Sequence, residues 1–268
     1  MAAPALPPSP ERPARYTGRG MPPLRYTGRW HPQPPVWLEG RGALEYVRLL
    51  RDPVYGGVGV ARGEGQPVLL VPGFMAGDSS LSVLRNWLLR TGYHAEMAGL
   101  VFNVRYSELV ARMIGLRLRA MHGSLGRKVT ILGHSRGGIL AKVIADREPG
   151  AVRRVITLGS PLGDPYDIHP LTMAGARVAH ALNVLRYARG SGMERGFLSQ
   201  LEAPARVPLV SIYSRTDGIV HWEACLRGDA ECIEVTGSHL GLGVNVHVYQ
   251  LLAGLLAPGP RRRRQPPS

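Results

Sequence analysis

KVTILGHSRGGILAKVIAD, residues 128–146, opens on a β-branched apolar run and closes on a helix-forming one. Between them stands Gly133-His134-Ser135-Arg136-Gly137-Gly138. Lys128–Leu132 predicts a buried strand and Ile139–Asp146 a helix. Gly-x-Ser-x-Gly in this strand–turn–helix setting forces the serine into a strained backbone conformation. The flanking glycines remove side chains that would clash with it. The bend lifts the hydroxyl clear of the sheet, and the following helix aims its positive end at the same place. Gly138 allows a second close contact there. Ser135 is therefore the candidate nucleophile. Its neighbour His134 should point away from the hydroxyl and serve in packing or in support of the site.

The same rhythm continues outward. Pro67–Val71, Tyr93–Met97, Val152–Leu158, Val207–Tyr213 and Glu231–Val235 read as strands. Ser80–Thr91, Glu108–Leu125 and Val246–Leu256 read as helices, and Trp37–Arg51 as a helix leading in. Val54–Gly65 is glycine-rich connection. Gly163–Ala205 has helical stretches near Leu171–Tyr187 and no clear strand, which makes it a candidate cap. Alternating strands and helices imply an α/β fold whose mostly parallel sheet is covered on both faces. Ligands of such sheets bind beyond the carboxyl ends of the strands, so functional residues belong in the loops after each strand.

Those loops supply partners for Ser135. Acyl transfer needs two donors facing the oxygen that becomes negative. One is the backbone N–H of Arg136, the residue after the serine. The other is expected from Pro72-Gly73-Phe74-Met75-Ala76-Gly77, after Pro67–Val71, with Phe74 ahead of Met75. After a turn of this kind the acid and the histidine follow in chain order. Asp217 comes after Val207–Tyr213 and is preferred to Asp164, whose alternative role is a turn or cap. His239, between the last strand and the last helix, is preferred to His221 and His247. In this reading His239 takes the Ser135 proton while Asp217 fixes its tautomer.

Composition narrows the class. The chain has 268 residues, 44% of them hydrophobic, which suits one α/β domain. Its mean hydropathy is −0.05. No run reaches the about 18 apolar residues that a membrane span needs. The formal charge is +14, but the arginines are scattered except for Arg261–Arg264. No nucleic-acid-binding motif accompanies them, so nucleic acid is not an expected partner; a weak attraction to anionic surfaces stays open. Cys225 and Cys232 form no CxxC or zinc pattern, and either two free thiols or a small disulfide loop is open. Residues 1–35, rich in Pro, Gly and Arg, read as an extended or disordered arm. Arg15–Arg19 recurs within it as Arg25–Arg29. Residues 36–258 form the domain, with the cap at about 163–205, and 259–268 a basic tail. Met1–Pro10 lacks the regions of an ordinary secretory signal, so a cytoplasmic location is expected ahead of export.

Taken together, Pro72-Gly73-Phe74, Gly133–Gly137, Ser160-Pro161, Ser214–Val220 and Gly237-Ser238-His239 resemble the α/β-hydrolase superfamily, especially its small bacterial lipase-like members. The resemblance spans about Gln66–Leu256. It implies a sheet of about six strands flanked by helices, a small helical cap, and a serine esterase or lipase that works through an acyl-enzyme. It implies no metal or organic cofactor, and a lipid or small-molecule ester as substrate. Two departures stand out. The oxyanion loop has Pro-Gly where many lipases carry His-Gly, and little chain precedes Gln66 to form the fold's first two strands. Acyl transfer and amide hydrolysis would use the same residues. A non-catalytic binding protein on this scaffold would lack a triad member, and all three are present.

Overall fold

Every strand expected from the sequence joins one sheet. The computed structural model describes residues 15–16, 33–186 and 190–257. The 259–268 tail, Arg189, the second repeat Arg25–Arg29 and most of the 1–35 arm lie outside those residues.

In chain order the elements are β1 (Arg15–Tyr16), a 3-10 helix (Val36–Arg41), α1 (Gly42–Arg51), α2 (Pro53–Gly56), β2 (Pro67–Val71), α3 (Ser82–Arg90) and β3 (His94–Met97). Then come α4 (Ser107–Leu125), β4 (Val129–His134), α5 (Arg136–Arg147), β5 (Val152–Leu158), α6 (Pro170–Arg186) and α7 (Gly190–Glu202). The chain closes with β6 (Leu209–Tyr213), β7 (Glu231–Glu234) and α8 (Val246–Leu255). The sheet order is β1-β7-β6-β5-β4-β2-β3. β2 to β7 are mutually parallel. Among the described residues of the sheet, two-residue β1 alone runs antiparallel, with Arg15 opposite Ile233. Between residues 33 and 66 the chain forms helices and connection, so the parallel sheet begins at β2.

Strand periodicity sorts the core. Leu69, Val71, Val129, Ile131 and Val155 point to the face covered by α4, α5 and α7. Val68, Leu70, Leu132, Ile156, Val210 and Ile212 point to the face covered by α1, α3 and α8. A parallel sheet buried on both faces needs apolar side chains at successive positions, and β2 is buried at all five of its own. Each such side chain contributes roughly 1.5–3 kcal/mol.

The cap segment divides in two. Phe197 and Leu201 of α7 sink into the core beside α5. The buried Lys142 ammonium of α5 donates to the Gln200 carbonyl of α7 (2.7 Å), which ties the two helices together, and pairs with Asp146 of its own helix (2.8 Å). α6 buries none of its residues. Leu171, Val178, Leu182 and Leu185 form an outward stripe, so they do not pack on the core. Among the described residues no helix is long and apolar enough to cross a membrane.

Candidate active site

The strand and helix around Ser135 run closer to it than their propensities suggest. Gly133 and His134 continue the ladder opposite Thr157 and Leu158, and α5 starts at Arg136. The turn is thus one residue, with φ 54° and ψ −128°. A left-handed φ at a residue with a Cβ costs of order 1–3 kcal/mol, and surrounding structure must hold it. Here the Ser135 N–H donates to the Leu158 carbonyl at 2.8 Å. A Cβ on Gly133 would strike Gly137, and one on Gly137 would strike the Val71 carbonyl. Gly138 lies against Ser160 and Thr157, the close contact expected of it. Ser135 itself is partly exposed.

Arg136 follows the serine, and Gly73, the residue before Phe74, packs against it: a Cβ on Gly73 would lie 3.1 Å from Ser135 Cβ. α5 leaves its first backbone N–H groups, Arg136 included, without partners inside the helix. The Met75 N–H donates to the Asn103 carbonyl at 3.2 Å, which leaves Phe74 as the candidate donor in that loop. Asn103, fully buried, also donates from Nδ2 to the Pro72 carbonyl at 2.9 Å. The Arg136 guanidinium donates to Asn103 Oδ1 (2.8 Å) and to the Asn103 carbonyl (3.0 Å). One arginine and one asparagine therefore join the serine turn to the loop of Phe74. Burial lowers the Arg136 pKa to about 10, so it stays charged at neutral pH.

Asp217 and His239 meet at the same end of the sheet. His239 Nδ1–H donates to Asp217 Oδ2 at 2.6 Å, with both residues buried. A carboxylate only accepts, so the proton sits on Nδ1 and Nε2 keeps its lone pair. Asp217 Oδ1 accepts from the N–H groups of Ile219 and Val220, at 2.8 Å each. Burial alone would lower the His239 pKa; the charge and hydrogen bond of Asp217, and then the charge of Glu39, raise it above 6.5. Gly159, at φ 55°, follows Leu158, whose carbonyl holds the Ser135 N–H. A Cβ there would lie 3.1 Å from both Asp217 Oδ2 and His239 Nδ1. The serine turn and the Asp–His pair thus share the carboxyl ends of β4 to β7.

The other candidates lie elsewhere. Asp164 Oδ1 accepts the Tyr166 N–H at 2.9 Å, as a turn residue does. His221 pairs with Asp167 at 3.1 Å, and His247 sits exposed on α8. His134 supports the site, one of the two roles expected of it. Its Nε2–H donates to the His239 carbonyl at 2.9 Å, and the two rings lie 4.9 Å apart. Burial, then the charge of His239, lowers the His134 pKa to about 4, so it is a neutral prop. Cys225 and Cys232 are free and buried. Among the described residues no three His, Cys, Asp or Glu side chains group so as to hold a metal ion.

Sequence reasoning missed four residues here. Asn103 and Gly159 carried only a faint signal, as polar or glycine residues just after strands or in a loop. Glu39 and Glu45 stand in the segment read merely as a lead-in helix, yet they bond to the loops of Asp217 and His239.

No family model matches the chain, and no curated protein sequence matches it. Solved structures do. The mature lipase BlEst2 of Bacillus licheniformis aligns with TM-score 0.55 at 17% identity, over 74% of this chain and 94% of that one. A soluble variant of monoglyceride lipase from Saccharomyces cerevisiae, in complex with a substrate analog, gives 0.54 at 15% identity, over 75% and 88%. A structure of the metagenome-derived lipolytic enzymes LipS and LipT gives 0.53 at 15%, over 74% and 95%. At such identities the likeness is one of fold.

Proposed function

We propose, from the premise that this chain has the α/β-hydrolase fold, that it is a serine hydrolase cleaving carboxylic esters through Ser135, His239 and Asp217. One observation carries the reading: a buried Asp217–His239 hydrogen bond at the strand ends where Ser135 is held at positive φ. With Nδ1–H bound to Asp217, the His239 Nε2 lone pair takes the Ser135 proton as Oγ attacks the ester carbonyl. The Phe74 and Arg136 N–H groups receive the oxyanion. His239 then gives the proton to the departing alcohol, leaving the acyl group on Ser135. Water, deprotonated by His239, attacks that acyl-enzyme and releases the acid.

The named activities of the three neighbours, all lipolytic, support an ester of a lipid or another apolar acid. Met75, Val101 and Phe102, exposed beside the Phe74 loop, offer apolar surface on which an acyl chain could lie. The test is a p-nitrophenyl ester series of rising chain length, run on the wild-type protein and Ser135→Ala. The variant should lose activity by roughly 10⁴-fold or more. Equal turnover by the two proteins rejects the reading. A rate that rises with chain length assigns lipid-like esters, and one that falls assigns short soluble esters.

A further inference from the structure

Glu39 belongs to the 3-10 helix Val36–Arg41, ahead of the parallel sheet and 200 residues before His239. Only 7% of it is exposed. Its carboxylate accepts three backbone N–H groups from two separate loops. Oε1 takes that of Gly218 at 2.8 Å and that of His239 at 3.1 Å. Oε2 takes that of Leu240 at 2.8 Å. Gly218 is the residue after Asp217, so the two loops that bear the Asp–His pair converge on one side chain. The neighbouring elements reinforce the clasp. Arg41 Nη2 donates to the Thr216 carbonyl at 3.2 Å. Glu45 of α1 accepts the Ser238 N–H at 2.9 Å and Asn245 Nδ2 at 3.2 Å.

We infer that Glu39 is a positioning residue for the proposed catalytic base, locking the backbone of His239 to that of Asp217 so that the imidazole keeps its reach and orientation through turnover. The inference rests on the serine-hydrolase reading above. Three donors facing two oxygens explain why a carboxylate is needed. A glutamine keeps the shape but turns one acceptor into an NH2 group facing an N–H. A buried negative charge beside the ring also favours the imidazolium that forms when His239 takes the serine proton. The ionisable groups facing that ring are Asp217, Glu39 and the neutral His134, with Glu45 on the adjoining Ser238 N–H and the Cys225 thiol behind Asp217.

Glu39→Gln and Glu39→Asp are to be compared with wild type and Ser135→Ala in kcat, KM and the pH profile of kcat/KM, with thermal unfolding to establish folding. For Glu39→Gln, kcat should drop about 10- to 100-fold, as a misplaced catalytic group does. KM should change little, and the acid limb should move to lower pH because the imidazolium has lost a neighbouring charge. Glu39→Asp keeps the charge on a shorter stem, so kcat should fall several-fold with the limb in place. A purely structural glutamate would lower the unfolding temperature and leave kcat and the limb of the folded protein unchanged; that result overturns the inference. If Glu39→Gln does not fold, wild-type kcat in Glu39→Asp overturns it equally. Turnover retained by Ser135→Ala would instead sink the catalytic reading, which keeps the two failures distinct.

Discussion

At the scale of single residues, the Asp217–His239 pair makes a prediction about pH. His239 must be neutral to accept a proton, and its pKa is raised above 6.5 chiefly by Asp217. The kcat/KM of the wild-type protein should therefore fall on acidification with a midpoint above 6.5. In Asp217→Asn the pair loses its charge and tautomer control, and the rate should fall by roughly 10⁴-fold. Asp164→Asn, whose Oδ1 holds the Tyr166 turn while the His239 ring pairs with Asp217, should stay within about threefold of wild type. Greater damage from Asp164→Asn in a steady-state assay would reverse the choice of acid. Gly159 gives a second test. A Cβ there meets Asp217, His239 and Leu242 at positive φ, so Gly159→Ala should both slow turnover and lower the unfolding temperature. A fully active and fully stable Gly159→Ala would contradict the packing described. As proposed site residues, Ser135, Asp217 and His239 were legible because each follows a strand in the chain order expected of the fold. Glu39 was not. Its partners are backbone N–H groups 179 to 201 residues away, and no spacing in the chain announces them.

At the scale of elements, a charged pair adds to the apolar joint between α4 and α5. Glu108 of α4, about 10% exposed in its side chain, pairs with Arg147 of α5 and Arg112 of its own helix, both at 2.6 Å. Burial pushes its carboxyl upward, but hydrogen bonds from Arg147 and Arg112 hold it below 4.5. The unfolded chain thus binds that proton more readily. The stabilisation is complete above pH 4.5 and fades as pH falls through the lowered value. Glu108→Gln should cost about 1–3 kcal/mol near neutrality. Its deficit against wild type, measured by denaturant unfolding, should shrink in acid; a deficit constant with pH would refute the account. Strand existence was easy to read because buried parallel strands are continuous apolar runs. Element ends were harder. Propensity placed glycine and histidine outside β4, whereas the ladder to β5 carries both to the serine. α7 escaped notice because Gly190, Gly192 and Gly196 dilute its pattern, although Phe197 and Leu201 stand one helical turn apart on the buried side.

At the scale of the molecule, the arrangement of layers followed from alternation alone, while the way the N-terminal segment clasps the far end of the chain did not. The apolar stripe of α6 shows the limit of periodicity. Leu171, Val178, Leu182 and Leu185 recur at helical spacing, but only packing shows that this face looks outward. The cysteines show a related limit, since seven residues of separation allowed a bridge or two thiols. The fold keeps both thiols buried, Cys225 1% exposed against β6 and Cys232 0% exposed within β7. Burial is the main reason both are harder to ionise than an ordinary thiol. Attack by a disulfide reagent needs an accessible thiolate, and the native state denies both conditions. Ellman's reagent should therefore find no rapidly reacting thiol in the native protein and two in denaturant. The slow reaction should track global unfolding across a denaturant series, and reductant should leave the unfolding temperature where it is. Prompt labelling of either cysteine under native conditions would mean that the β6–β7 edge opens independently of the rest of the sheet.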